Sequence, residues 1–174
     1  MLSATKTGLR ALTVLAFAAS AVSATPLVAT ADTPAPVTGP HQIKTFANKC
    51  LDVWGGHAND GTGIIQYTCW GHDNQTFTIK PVDGQPDEYE IHTFADNKCL
   101  DVWDARSDNG TGIIEYGCNN GANQHFKIVP FGSKVMIRTF YDKCLDVWDA
   151  STSDGTGIIQ YDCTGQNNQM FTLA

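Results

Sequence analysis

The sequence predicts an all-β domain in which three homologous four-stranded repeats close around a threefold axis. A phrase of identical residues occurs three times, each copy holds about four strand candidates between turn residues, and no window shows a helical period. Three units are too few for a propeller, which needs about four to eight blades. An open array would leave long unpaired edges, so closure of the three units on one another is the expected solution.

The repeat is defined by one long motif. The segment Lys49-Cys-Leu-Asp-Val-Trp54 returns unchanged at 98–103 and 143–148, with periods of 49 and then 45 residues. Each copy continues with Gly-Thr-Gly-Ile-Ile, then Tyr-x-Cys, then Asn-Gln-x-Phe, and follows a short strand-like phrase at 43–46, 91–94 or 137–140. The repeats are therefore placed at about 41–83, 84–130 and 131–174.

The strands are predicted from alternation and turn residues. In the third repeat the candidates are 135–140, 143–148, 157–161 and 169–173. An Asp-Gly or Asn-Gly pair precedes the third strand of each repeat, and such pairs predict tight turns: Asp60, Asn109 and Asp154.

The N-terminal segment is typical of a secretory signal. Lys6 and Arg10 precede an apolar run of 12 residues at 11–22, which is too short to span a bilayer as a helix. Small residues favour cleavage after Ala31, with cleavage after Ala24 as the second choice. The Pro-rich stretch 32–40 is expected to be an extended tether, and 41–174 the folded domain of a secreted, extracellular monomer.

Charge excludes two classes of partner. The formal net charge is −7, and removal of residues 1–31 with Lys6 and Arg10 makes it −9. Nucleic acid and anionic membrane surfaces both need a basic protein surface, so neither is an expected partner. No segment beyond the signal is long and apolar enough to predict a transmembrane helix.

The six cysteines form three pairs with equal spacing. An even number of cysteines after a secretion signal indicates disulfides, and the equal spacing favours one bridge per repeat. The expected bridges are Cys50–Cys69, Cys99–Cys118 and Cys144–Cys163. Zinc is the competing interpretation, but it would want close ligand pairs such as Cys-x-x-Cys, which the sequence lacks. No metal or cofactor is expected.

The full motif resembles the ricin B-chain-like lectins, and especially the family 13 carbohydrate-binding modules. The resemblance covers 41–174 and implies a β-trefoil with one sugar pocket per repeat. One departure is visible, because the family closes each repeat with Gln-x-Trp whereas this chain has Phe77, Phe126 and Phe171. Phe can fill the same core position.

A sugar pocket needs a carboxylate, an amide and an aromatic ring, because sugars present hydroxyls and one apolar face. Strand alternation places Leu51 and Val53 in the core and Asp52 outward beside Trp54. The resemblance assigns the hydrogen-bonding carboxylate, the stacking ring and the amide to Asp52, Tyr67 and Asn74, to Asp101, Tyr116 and Asn123, and to Asp146, Tyr161 and Asn168.

Other recurring residues have two interpretations each. Gln75, Gln124 and Gln169 either orient the pocket or pin a turn. Trp54, Trp103 and Trp148 either extend the stacking surface or cover the outer face. The pockets are expected to differ, since Trp70, Asn119 and Thr164 occupy one variable position and Gly55, Asp104 and Asp149 another.

The sequence predicts binding rather than catalysis. The acidic residues recur with threefold symmetry, the five histidines do not, and no nucleophile or metalloprotease motif is present. Galactose-, xylan- and arabinan-type glycans all fit the predicted pockets. The alternatives are a protein-binding β-trefoil such as a protease inhibitor, or the targeting subunit of a separate hydrolase or toxin.

Overall fold

The computed structural model of the protein describes residues 37–174 as an all-β domain of 13 strands. The first repeat contains β1 (Gly39–His41), β2 (Ile43–Lys44), β3 (Cys50–Val53), β4 (Thr62–Tyr67) and β5 (Phe77–Pro81). The second contains β6 (Tyr89–His92), β7 (Lys98–Val102), β8 (Ile113–Gly117) and β9 (Lys127–Phe131). The third contains β10 (Lys134–Arg138), β11 (Cys144–Val147), β12 (Thr156–Tyr161) and β13 (Thr172–Leu173).

Six short 3₁₀ turns complete the described secondary structure, two in each repeat. One follows the second strand of the repeat unit, at Trp54–Gly56, Trp103–Ala105 and Trp148–Ala150. The other precedes the closing phenylalanine, at Asp73–Gln75, Ala122–Gln124 and Asn167–Gln169. Within residues 37–174, no helix has the length and apolarity that a bilayer crossing requires.

The sheet begins two residues before the predicted boundary at 41. Gly39 and Pro40 lie in β1, which pairs only with β5. Proline is tolerated at such an edge because it needs no partner for the missing N–H. The predicted signal at 1–31 and the tether residues 32–36 lie outside the described part of the chain.

The three repeats close on one another through their third strands. β4 pairs with both β8 and β12, and a bridge from Gly112 to Ile159 joins β8 to β12. Two outer strand pairs are hairpins, β5–β6 and β9–β10. The third outer pair joins the two ends of the domain, because β13 pairs with β2. The expected all-β, threefold-closed architecture is confirmed.

The core follows the same symmetry. Five apolar positions of the repeat are at most 1% exposed in all three copies: Ile43, Ile91 and Ile137; Leu51, Leu100 and Leu145; Val53, Val102 and Val147; Ile64, Ile113 and Ile158; and Phe77, Phe126 and Phe171. The phenylalanines are fully buried, so they do occupy a core position as expected. Each repeat supplies one third of a shared core, which none could bury alone.

The turn residues predicted from the Gly-containing pairs clamp neighbouring repeats together. Asp60 accepts hydrogen bonds from the Lys98 ammonium at 2.6 Å and the Gly117 N–H at 2.8 Å. Asp154 makes the matching contacts to Lys49 and Thr68, both at 2.7 Å. At the remaining junction Asn109 pairs with Asp162. These turns therefore link all three repeats in a ring.

The three predicted disulfides are confirmed. Each joins cysteines 19 residues apart, with a Cα–Cα distance of 5.1 Å: Cys50–Cys69, Cys99–Cys118 and Cys144–Cys163. Each bridge ties the start of the second strand of the repeat unit to a residue one or two positions beyond the end of the third. Because Cys50 lies opposite Tyr67 in the sheet register, the bridge also fixes the strand end that carries the tyrosine.

Replacing both Cys144 and Cys163 with alanine is expected to lower the free energy of unfolding by about 3 kcal/mol. The bridge closes a loop of about 20 residues, and its loss frees the unfolded chain. Urea unfolding of the double variant and the wild type measures the difference. A loss below about 1 kcal/mol would contradict a stabilising role.

Candidate functional site

The candidate site in each repeat forms where the second strand runs into a 3₁₀ turn. β3 ends at Val53, and Trp54 begins the turn instead of extending the strand as predicted. Residues 55 and 56 both have positive φ, so the chain reverses sharply and carries the Trp ring away from the core. The predicted strand at 169–173 is likewise shorter, because Asn168 and Gln169 lie in a 3₁₀ turn.

Each repeat has the same predicted set of Asp, Tyr and Asn at the same spacing. In the first and third repeats this spacing brings the Asp and Asn side chains into contact. The Asn74 amide donates to Asp52 Oδ1 at 2.9 Å, and the Asn168 amide donates to Asp146 Oδ1 at 2.8 Å. All three asparagine amides also donate to the carbonyl at the end of the strand, Asn123 to Val102 at 3.3 Å, and the Asn123 contact to Asp101 is the weakest of the three Asp–Asn contacts.

The expectation that the aspartates point freely outward is wrong. Asp52, Asp101 and Asp146 are only 6%, 3% and 5% exposed. Alternation alone predicts an outward side chain, but the 3₁₀ turn that carries the Asn and Gln folds over the strand and covers the carboxylate. One edge of Asp101 and of Asp146 still reaches a surface cleft.

The glutamines fill both of the roles proposed for them. In the third repeat the fully buried Gln169 amide donates to Asp146 Oδ2 and to the Asp162 carbonyl, both at 2.9 Å. Its carbonyl oxygen accepts from the Thr164 N–H at 2.8 Å. Gln75 and Gln124 make the same three contacts in their repeats. The glutamine therefore orients the carboxylate and pins the turn at once.

Two opposing effects act on the pKa of the three pocket aspartates. Burial raises the pKa of Asp52, Asp101 and Asp146 above the ordinary value for aspartate. Hydrogen bonds from the neighbouring Gln and Asn amides oppose that effect because they favour the charged form. One or two amide donors bind each carboxylate and fix its orientation, and acceptor positions remain free on its oxygens.

The tyrosines remain accessible, as a stacking role requires. Tyr116 and Tyr161 are 42% and 43% exposed, and Tyr67 is half-buried. In the first repeat Trp70 lies beside Tyr67, with ring centroids 6.3 Å apart and planes inclined by 31°. This aromatic pair belongs to the first repeat alone, since Asn119 and Thr164 occupy the equivalent positions.

The other three tryptophans are exposed at the surface, and two of them line clefts. Trp54, Trp103 and Trp148 are between 54% and 64% exposed. Trp103 and Trp148 line the clefts of their repeats. Their outer contacts differ, because Trp54 meets the edge of His57 and Trp103 lies 5.9 Å below the Arg106 guanidinium.

Two of the predicted triads line clefts on the surface. The second pocket, of about 430 Å³, contains Asp101, Tyr116 and Asn123. The third pocket, of about 630 Å³, contains Asp146, Tyr161 and Asn168. Sequence reasoning missed the contribution of Gly110 to the third pocket, because this residue comes from the neighbouring repeat. Only the tertiary closure brings it there.

The lip of each pocket differs between repeats. Asp104 and Asp149 line the second and third pockets at positive φ. The first repeat has Gly55 there, where an added Cβ would lie only 2.8 Å from His57 Nε2. The second and third pockets therefore offer an extra carboxylate, whereas in the first repeat the His57 side chain fills the space beside Gly55 and Trp70 adds an aromatic ring next to Tyr67.

Fold and site together define a β-trefoil with a repeated Asp–Asn–aromatic constellation. The model of the ricin-type β-trefoil lectin domain matches residues 40–171. The chain therefore belongs to the ricin-type β-trefoil lectin family, and carbohydrate binding by a non-catalytic domain is the general function that this membership supports.

Solved structures agree with this assignment. The chain is 34% identical to ThreeFoil, a designed threefold-symmetric protein, over 78% of this chain and 98% of that one, with a TM-score of 0.74. It is 30% identical to an exo-β-1,3-galactanase from Clostridium thermocellum, over 80% of this chain but only 30% of the enzyme, with a TM-score of 0.74. The agglutinin of Rhizoctonia solani, 20% identical, shares the fold over 78% of this chain and 94% of its own, with a TM-score of 0.71.

Proposed function

We propose that this protein is a secreted lectin with three sugar pockets that captures poly- or oligosaccharides multivalently and without catalysis. The observation that carries the proposal is the recurrence of a fixed carboxylate, an amide and an accessible aromatic ring at equivalent positions of all three repeats. Three disulfides in a small domain are typical of the extracellular environment and support secretion.

Each pocket is proposed to hold a sugar between its ring and its carboxylate. The tyrosine offers a flat apolar surface to one face of the pyranose, and the aspartate accepts hydrogen bonds from two hydroxyls. The asparagine amide group already donates within the protein in the first and third repeats, so its side-chain carbonyl is proposed to accept a hydrogen bond from a third hydroxyl. Because the glutamine already holds the carboxylate, little side-chain entropy is lost on binding.

The glycan class follows from the polar groups of the pockets. Galactose-, xylan- and arabinan-type chains present the neighbouring hydroxyls and apolar ring face that an Asp–Tyr–Asn pocket needs. The carboxylates at the lips of the second and third pockets favour neutral glycans over acidic ones, because a uronic acid would meet two negative charges there.

Replacing Tyr67, Tyr116 and Tyr161 together with alanine is expected to abolish glycan binding and leave the fold intact. The rings are accessible, so their loss removes the stacking surface without opening the core. A glycan array and polysaccharide pull-down compare the variant with the wild type, and thermal unfolding verifies that both are folded.

The matched control replaces Tyr141, an exposed aromatic residue outside the three pockets, with alanine. This variant should bind like the wild type. The lectin proposal fails if the wild type binds no glycan at millimolar concentration, or if the triple variant binds as well as the wild type. Protein partners, including proteases, would then be the next candidates.

A further inference from the structure

One position of the threefold repeat carries a different chemical group in the second copy. Gln66 of β4 and Gln160 of β12 are matched by Glu115 of β8. All three side chains are fully buried. The second repeat therefore places an acid where the other two place an amide.

The two glutamines hold the loops of neighbouring repeats. The Gln66 amide donates to the carbonyls of Ser151 and Ser153, at 2.7 and 3.0 Å. The Gln160 amide donates to the carbonyls of Arg106 and Asp108, at 2.7 and 3.2 Å. In both cases the loop follows directly from the 3₁₀ turn at the lip of a pocket.

Glu115 faces the equivalent loop of the first repeat, residues 57–61, which we call the first loop. The backbone N–H of Gly61 donates to the Glu115 carbonyl at 2.8 Å. Gly110 and Gly155 make the same bond to Gln160 and Gln66, both at 2.9 Å. The backbone register is therefore identical at all three junctions, and only the side-chain donor is missing at this one.

The Glu115 carboxyl contributes no donor to the first loop, and both of its oxygens are shielded from solvent and make no hydrogen bond of ordinary geometry within residues 37–174. The Thr93 hydroxyl beside it matches Thr45 and Thr139, which donate to Gln66 and Gln160 at 2.9 and 3.0 Å. The groups that face it are the Thr93 hydroxyl, the Lys98 ammonium and the Asp60 carboxylate. Lys98 and Asp60 already pair with each other at 2.6 Å, so they leave little net charge to balance an ionised Glu115.

We propose that Glu115 is a positioning residue that fastens the first loop when it carries a proton and releases it when it is ionised. The protonated acid has one O–H that can donate to a carbonyl of the first loop, as the glutamines do. The ionised acid has no donor and turns negative oxygens toward the carbonyl oxygens of the loop. The basis for this assignment is the comparison of Glu115 with Gln66 and Gln160, which occupy the same position in the other two repeats and do fasten their loops.

The direction of the pH dependence follows from the burial of this group. Burial raises the pKa of Glu115, and the Thr93 hydroxyl and Lys98 only partly offset the increase. The folded state therefore binds the proton more tightly than the unfolded chain does. The contribution of Glu115 to stability is therefore fully present below the ordinary glutamate pKa and is lost as the pH rises through the raised value.

The connection to ligand binding rests on the proposed function. The first loop continues from the turn Trp54–Gly56, which forms the lip of the first pocket. A fastened loop holds Trp54 in place for stacking, and a released loop does not. The first pocket is then expected to lose affinity at alkaline pH in a way that the third pocket does not.

Hydrogen exchange without any glycan tests the positioning role directly. The amides of residues 57–61 in the wild type should open about tenfold more at pH 8 than at pH 4 after correction for intrinsic exchange, while those of 106–110 should not. Glu115→Gln should make the first loop insensitive to pH. Gln160→Glu should give the 106–110 loop the same pH dependence.

The outcomes are distinct. Equal opening of the two loops at both pH values in the wild type overturns the proposal. So does a pH dependence that persists in Glu115→Gln, because another group would then be responsible. Glycan titration of Glu115→Gln in a Tyr116→Ala, Tyr161→Ala background should show a several-fold gain in affinity at pH 8 and none at pH 4. Failure to bind glycan at all removes only the lectin proposal, since exchange still decides the role of Glu115.

Discussion

Replacing Asp146 with alanine is expected to destabilise the domain by about 2–5 kcal/mol, far more than an ordinary binding-site substitution. The carboxylate is 5% exposed and accepts hydrogen bonds from Asn168 at 2.8 Å and Gln169 at 2.9 Å. Its removal leaves two buried amides without their acceptor and opens a small cavity. Chemical denaturation followed by tryptophan fluorescence measures the loss.

The control for this experiment is Tyr161→Ala in the same pocket. Tyr161 is 43% exposed, so its loss should change the free energy of unfolding by less than about 1 kcal/mol. If Asp146→Ala is as stable as Tyr161→Ala, the buried network does not contribute to folding. The comparison also shows why tyrosine variants, rather than aspartate variants, are the cleaner probes of sugar binding.

Removing pockets one at a time is expected to weaken polysaccharide binding in steps, by about 10²-fold or more when two are lost. A single shallow pocket is weak, and three pockets on one rigid body gain from effective concentration. Tyr161→Ala and then Tyr116→Ala, Tyr161→Ala give the series. Affinity electrophoresis in a soluble polysaccharide measures binding to the polymer.

Monosaccharide titration supplies the internal control. The affinity of each remaining pocket for a free sugar should stay constant, and only the number of sites should fall. A polysaccharide affinity that is unchanged after the loss of two pockets would place all binding in the first one. The aromatic pair of Tyr67 and Trp70 would then be the main determinant of recognition.

The fold could be predicted from the sequence because the same motif occurs three times. Equal Cys spacing indicated the three disulfides, and the recurring Leu51, Val53 and Phe77 positions indicated the core. Each copy supports the interpretation of the others, so even a short strand such as Thr172–Leu173 could be located approximately by comparison with its equivalents.

The details of the site depend on tertiary packing and could not be read from alternation. Asp52 lies on the strand face predicted to be outward, but a turn 21 residues later covers it. The role of Gln66 is set by the carbonyl of Ser151 in another repeat, 85 residues away. Its recurrence as Glu115 and Gln160 was a signal in the sequence, yet only the structure shows which loop each one faces.

The ring of clamps between repeats has a consequence for the topology of the chain. Gln42 and Ala174 exchange backbone hydrogen bonds at 2.9 and 3.0 Å, so the two ends of the domain lie side by side. The three repeats therefore form a closed ring. A circular permutant that opens between the second and third repeats, with a short peptide joining the old ends, would keep every strand pair and every pocket in place, and the position of the break becomes a free choice for protein engineering.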